Sequence, residues 1–365
     1  MIRVRGVARA AVVAAMVVGL CSSAGLAVVQ YTVTDLGTLG GTTRPYRINS
    51  NGQVVGFSFV PAGFTHAFLW DHGVMSDLGT LGGDGSGATG INDAGDVVGY
   101  SRISTSNNTL RAFLWHNSSM TDLGTLTSPT GLDYRAYGIS SSGQVVGHAY
   151  TVGAYDYAFS WEGGVMKKVP ALGESYSIAR DISSNGVIVG DAYLSDYATY
   201  SRAFIWVAGQ VTSLGTLGGS YSLAYGVNDF SQVVGEASLP NGDMHAFLWA
   251  DGAMTDLGTL GASSSTANDI NGIGQVVGYA RIPSGATHAF LWQNGQISDL
   301  NDLLPTGSGW VLTSARGIND QGWIVGSGSY LGGPEQGFLL TPEPATLSLL
   351  TLGGLGMWLR RRRRK

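Results

Sequence analysis

The sequence predicts an all-β fold, a seven-bladed β-propeller assembled from four-stranded repeats of about 45 residues. Three observations carry this: a composition hostile to helices, a repeated unit, and a strand count that closes on itself. Glycine supplies 56 of 365 residues, and Asp, Glu, Lys and Arg together only 12%. Each Gly in a helix interior costs about 1 kcal/mol relative to Ala, so this composition disfavours helices. Hydrophobic residues make up 44%, enough to build a core, which argues against a wholly disordered chain. Glycine does not recur every third residue, so the chain is not collagen.

The unit is read from three landmarks. Ile-Asn-x-x-Gly-x-Val-Val-Gly, with Ser for Asn in some copies, starts at Ile48, Ile91, Ile139, Ile182, Val227, Ile270 and Ile318. These starts define units 1 to 7. His-Ala-Phe-Leu-Trp ends at Trp70, Trp115, Trp161, Trp206, Trp249 and Trp292, with a degraded seventh copy at Gly337-Phe338-Leu339-Leu340. Asp-Leu-Gly-Thr-Leu-Gly starts at Asp35, Asp77, Asp122 and Asp256, with looser copies at Lys168, Ser213 and Asp299. In unit 2 the expected strands run Ala88–Ile91, Asp96–Ser101, Arg111–Trp115 and Met120–Leu123, rich in β-branched and aromatic residues and punctuated by Asn, Asp and Gly.

The count closes because nothing like Asp-Leu-Gly follows Phe338, whereas a spare strand, Tyr31–Gly37, precedes unit 1. In a ring that strand completes the seventh blade. An open solenoid would leave it orphaned at one end and an unpaired edge at the other. An open array and paired β-sandwiches are the alternatives.

The ends have their own signatures. Residues 1–27 carry Arg3, Arg5 and Arg9, an apolar run from Ala10 to Leu20, then small residues. This is the layout of a signal peptide cleaved after Ala27 or Ala24, with a retained anchor as the alternative. The only cysteine, Cys21, lies inside it, so the mature chain is expected to lack disulfides and thiol chemistry. Residues 28–340, the propeller, hold 11 basic against 24 acidic residues, and a body this acidic repels nucleic acid. Residues 341–365 read Pro342-Glu343-Pro344, an apolar stretch Ala345–Leu359, then Arg360–Lys365. The apolar stretch is short for a durable span, and the prolines keep the motif extended and accessible. This tail resembles the PEP-CTERM sorting signal. The resemblance implies an exosortase-type processing enzyme as partner, transient membrane insertion through the tail, and export to the cell envelope, the surface or the exterior. A plain tail anchor is the alternative. The repeats resemble the bacterial extracellular HAF family through His66-Ala67-Phe68, His245-Ala246-Phe247 and His288-Ala289-Phe290, although Arg111, Tyr157 and Arg202 replace the His elsewhere. That resemblance implies fold and export, not chemistry.

Two position sets bear on a site. Three residues before each Ile stand Pro45, Ala88, Ala136, Ala179, Ala224, Ala267 and Ala315, small enough for an inner ring. The next position holds Tyr46, Thr89, Tyr137, Arg180, Tyr225, Asn268 and Arg316. It either faces a channel mouth or packs between blades. The connections between second and third strands vary in length, and variable loops on a rigid scaffold are where binding resides. Tyrosines concentrate in units 3 and 4, so Tyr134, Tyr150, Tyr155, Tyr176, Tyr193, Tyr197 and Tyr200 form the candidate ligand face, suited to sugars or proteins. The histidines are expected to be polar strand residues rather than metal ligands, and the repeated aspartates to bind turns rather than calcium. Gly85–Gly90 matches a dinucleotide pattern but opens no helix. No cofactor and no metal is expected. The reading is a non-enzymatic binding or structural module of the envelope or exopolysaccharide matrix, with an extracellular polysaccharide or surface protein as possible partner. The alternative is a propeller lyase or glycosidase, resting on fold analogy.

Overall fold

The computed structural model describes residues 30–106, 108–126, 133–151, 155–172, 176–194 and 200–343. Among them twenty-eight strands form five four-stranded sheets and one eight-stranded sheet. All pairing within units is antiparallel. The eight-stranded sheet arises because one parallel pair, Asp133 with Leu110, joins units 2 and 3. In unit 2 the strands are Ser86–Ile91, Val97–Arg102, Leu110–His116 and Ser119–Asp122, each boundary within two residues of the sequence expectation. The strand before unit 1, Tyr31–Asp35, pairs antiparallel with the last one, Glu335–Pro342, placing Tyr31 opposite Pro342. The sheet that ends the chain is therefore completed by its beginning, as the strand count requires.

The core is distributed over seven apolar clusters, one at each junction of successive units. One of them joins unit 7 to unit 1, with Val325 and Leu339 against Ile48, Val54 and Phe68. The motif phenylalanines Phe68, Phe113, Phe159, Phe204, Phe247, Phe290 and Phe338 are all fully buried. Each anchors the strand that bridges its own sheet to a neighbour. Of the repeated tryptophans, Trp70 is buried inside its cluster and Trp115, Trp161, Trp206, Trp249 and Trp292 pack at the borders of theirs.

The Ile-Asn landmark has a structural cause. In unit 1 the Asn49 carbonyl accepts from Gly52 N, and Asn49 Oδ1 accepts from Asn51 N and Gln53 N, which closes the turn. Its Nδ2 reaches the next unit and donates to Asn92 O at 3.0 Å. The same bond runs from Asn92 to Ser140 O, Asn228 to Asn271 O and Asn271 to Asn319 O. Asn319 then donates to Asn49 O, from the last unit to the first. Units 3 and 4 carry Ser140 and Ser183, too short to reach, and the chain of amide bonds stops there.

Candidate functional site

Every first strand contains a β-bulge two residues before its final Ile or Val. A bulge leaves one residue without a ladder partner and re-aims its side chain. The second strand allows this by placing the Gly of Val-Val-Gly opposite. A Cβ on any of these seven glycines would lie 1.8–2.0 Å from a first-strand carbonyl oxygen. The bulged residues are Tyr46, Thr89, Tyr137, Arg180, Tyr225, Asn268 and Arg316, the varied set read from the sequence. All seven line one cavity of about 310 Å³, together with Arg47, Tyr100 and Arg135. The preceding alanines are fully buried behind them.

The floor of the cavity is ionic. At the position before the Ile four units have glycine, while unit 1 has Arg47 and units 4 and 6 have Asp181 and Asp269. Arg47 lies 3.8 Å from Asp181 and 4.0 Å from Asp269, and donates to Arg316 O and Tyr225 O. The carboxylates also accept from Val227 N and Ile318 N, tying together units adjacent in the chain. Burial pushes the Asp181 carboxyl up to about 6 against the opposing pull of Arg47, and raises Asp269 likewise.

Above the floor, guanidiniums lie over tyrosine rings of neighbouring units. Arg316 covers Tyr46 at 5.2 Å, Arg135 covers Tyr100 at 5.1 Å, and Arg180 covers Tyr225 at 5.1 Å. Such stacking orients a guanidinium while leaving its edge donors available. The arginines differ in their acids. Arg180 binds Asp191 at 2.5 Å, and burial of Arg180 is outweighed by that carboxylate, which holds the cation firmly charged. Glu236 accepts from Tyr225 and Thr266. Among the described residues Arg135 has only Asp133, at 3.9 Å, and Arg316 has no carboxylate partner. The Nε atoms of Arg135 and Arg316 are buried without a hydrogen-bond partner. Burial raises the phenols of Tyr100, Tyr137 and Tyr225, so they remain protonated donors. His148 stacks on Tyr137 at 5.5 Å, its Nδ1 buried without a partner. Burial first, then the charges of Arg135 and Arg180, press it down to about 4, so the ring is neutral.

The tyrosines singled out in the sequence divide. Tyr176 and Tyr193 stack on each other at 4.4 Å, and burial and the charge of Asp191 raise the Tyr176 phenol; neither lines the cavity. Tyr150 is partly exposed, and Tyr200 lines a separate groove with Tyr221 and Met244. Tyr155 begins the third strand of unit 3. Tyr197 lies outside the described residues. Tyr134 is a correction: it is fully buried against Phe159, because the first strand of unit 3 turns that side chain into the core. Arg47, Tyr100 and Arg135 were not singled out, although the run of glycines broken by Arg47, Asp181 and Asp269 was a usable signal.

The histidines of the aromatic strand motif serve the sheets. His66, His245 and His288 pair with Asp77, Asp256 and Asp299 on the adjacent strand, at 2.8, 2.8 and 2.5 Å. In unit 2 Arg111 faces Asp122 at 3.8 Å, and in unit 3 the pair is inverted, with Lys168 over the Tyr157 ring. The same aspartates accept from the backbone two residues on, as at Asp77 with Gly79 N. Among the described residues no three His, Cys, Asp or Glu converge as a metal site.

The C-terminal motif enters the last sheet. Pro342 ends the final strand and is buried, and Glu343 N donates to Gln30 O. Of the motif, Pro342 is not accessible as expected, because it is the last residue of the strand and packs inward there. Pro344 and the apolar tail lie outside the described residues. Among the described residues no helix is long and apolar enough to cross a membrane.

Residues 340–364 match the PEP-CTERM protein-sorting motif. The chain is thus an exported protein sorted to the cell envelope, and the motif implies processing by exosortase. Residues 172–337 match the family described as a protein of unknown function, DUF3466. No curated protein matches the chain. Among solved structures it is similar to the acylaminoacyl peptidase of Pyrococcus horikoshii, with TM-score 0.50 and 13% identity over 84% of this chain and 53% of that one. A puromycin-hydrolyzing peptidase of Mycobacterium tuberculosis gives 0.51 and 12%, over 84% and 54%. A prolyl endopeptidase gives 0.52 and 10%, over 85% and 48%. The chain spans about half the length of these proteins, and the likeness is one of fold, all-β and propeller-like.

Proposed function

We propose that this protein is a non-enzymatic binding and structural module of the cell envelope or its exopolysaccharide matrix. It is built as a closed seven-bladed β-propeller of HAF-type repeats, and the arginine–tyrosine cavity is its ligand site. The observation that carries the reading is convergence. Seven bulges turn seven side chains of four kinds into one cavity, on an otherwise repetitive scaffold. Closure is supported by the pairing of Tyr31–Asp35 with Glu335–Pro342 and by the bond from Asn319 to Asn49. The binding role is supported by donors held in place by stacking, while the motif histidines are committed to cross-strand pairs. A glycan and exopolysaccharide array probed with the exported protein tests the function, and absence of any saccharide signal refutes it. Deleting Tyr31–Gly37 tests closure. A ring loses cooperative unfolding throughout, whereas a linear array loses only its end unit.

One observation favours a lyase instead. His148, neutral and stacked on Tyr137 beside Arg135 and Arg180, has the parts of a base with a cationic carboxylate clamp. Release of unsaturated saccharide from an acidic polymer, lost in H148Q, would establish that reading over the binding module.

A further inference from the structure

We infer that the cavity takes the carboxylate of an acidic sugar, held between Arg316 and Arg135. This rests on the binding-module reading above and adds the chemistry of the ligand.

The two sides of the cavity are not equivalent. Toward units 4 and 5 the cation Arg180 is neutralised by Asp191, and Glu236 is occupied by two hydroxyl donors. Toward units 7, 1, 2 and 3 the cavity carries Arg316 and Arg135, each fixed over a tyrosine. Asp133, at 3.9 Å from Arg135, is the one carboxylate near this pair among the described residues. Both Nε atoms are shut in without an acceptor, so no carboxylate of the protein engages either guanidinium on that side, and the terminal nitrogens are the donors a ligand would meet. The protonated Tyr100 phenol adds a further donor. This wall is therefore rich in donors and poor in acceptors, and its complement is an oxyanion. A guanidinium edge matches a carboxylate through two parallel bonds.

The size and the setting select the sugar. A cavity of about 310 Å³ sits at the small end of ligand sites, room for one or two pyranose rings rather than a folded partner. The body of the protein is acidic, 24 against 11, so a polyanion is not drawn by net charge and needs this local exception. On the binding-module reading the ligand is a polysaccharide of the envelope matrix, and an acidic one carries the carboxylate that this wall accepts.

Calorimetric titration of the exported protein with digalacturonate, neutral digalactose, sodium sulfate and a glutamate-rich peptide tests the inference. Digalacturonate should bind about tenfold or more tightly than the other three. R316Q and R135Q should each weaken it about tenfold with unchanged melting temperature. R316K, which keeps charge but loses the fork, should fall between and guards against a folding defect. Equal binding of digalactose removes the carboxylate and leaves saccharide binding standing. Equal binding of sulfate removes the sugar, and equal binding of the peptide makes the partner a protein. Undiminished binding in both glutamine variants places the site elsewhere.

Discussion

On one side of Arg47 five asparagines around a second cavity do the same work; on the other, one register position of the arginine–tyrosine cavity holds Tyr, Thr, Arg and Asn in turn. The turn end repeats because its task repeats. Asn49, Asn92, Asn228, Asn271 and Asn319 each close their own turn and reach a carbonyl of the neighbouring unit. Asp93, Asp229 and Asp320 add bonds to the backbone of Ser50, Ser184 and Gly272. The bulge end keeps its backbone constant and varies its side chains. A constant bulge with an obligatory glycine opposite shows that the position is held by the fold, and variation there shows that packing does not dictate the residue. Constraint on backbone without constraint on side chain is what a ligand surface on a rigid frame looks like.

The largest effect should come where the two ends meet, at Arg47. R47M removes the cation between Asp181 and Asp269 and leaves two buried carboxylates without their partner, a loss of about 3–5 kcal/mol. Urea unfolding measures it. Adding D181N and D269N should recover most of the loss, because the charges that needed Arg47 are then gone. If the single variant loses under about 1 kcal/mol, the floor is not an ionic lock.

N319A should follow, at about 1–3 kcal/mol, since it removes the bond between units to Asn49 O, which keeps only Gly52 N, and opens the Asn319 turn as well. The loss should match that of N271A. Unit 7 then joins unit 1 as firmly as unit 6 joins unit 7, and a much smaller effect at Asn319 would argue for an open array.

Much of this was legible in the sequence. The landmarks located all four strands of a unit, and Tyr31–Gly37 was recognisable as the missing strand of unit 7. The cavity was half legible: the varied position stood out, yet nothing in a linear pattern says that a bulge turns it inward. Arg47 was hidden because its partners Asp181, Tyr225, Asp269 and Arg316 come from units far apart in the chain, and Arg135 because no repeated pattern marks its stacking on Tyr100 of the preceding unit. The motif His and the motif Asp were read as separate features. The hairpin places them face to face eleven residues apart, and the matched exchange of Tyr157 with Lys168 was the visible clue. Tyr134 misled because tyrosine density says nothing about the direction of a strand residue.

S140N extends the comparison to the interrupted arc. Asn at this turn should reach the carbonyl of Ser183 as its counterparts do, a gain of about 1 kcal/mol. An unchanged urea midpoint would mean that units 3 and 4 are set too far apart for the ladder, not merely short of a side chain.

A smaller effect concerns acid. His148, at about 4 when folded, lies below its ordinary value of 6.5. Between these values the unfolded chain takes up a proton that the folded chain refuses, so stability falls as pH drops through that window. Asp181, at about 6 when folded, acts in the opposite sense from pH 6 down to its ordinary value near 3.8, where the folded chain takes the proton. The two offset in the wild type. H148Q removes only the first, so between pH 6 and 4 its urea midpoint should rise relative to the wild type. Parallel curves would mean that His148 is not held neutral.

The smallest effect on stability should come from the residue most exposed to a ligand's demands. R316Q gives up a guanidinium stacked over Tyr46, worth about 0.5–1 kcal/mol. It also removes a buried Nε that has no acceptor, and relief of that group returns a similar amount. The melting temperature should therefore stay within the range expected of about 0.5 kcal/mol. A residue that can be replaced at the cavity wall without cost to the fold, on a frame where R47M is severe, is there for something other than folding. A loss of 2 kcal/mol or more in R316Q, on the order of a buried packing residue, would instead assign Arg316 to the contacts between units and dissolve the contrast between the two ends.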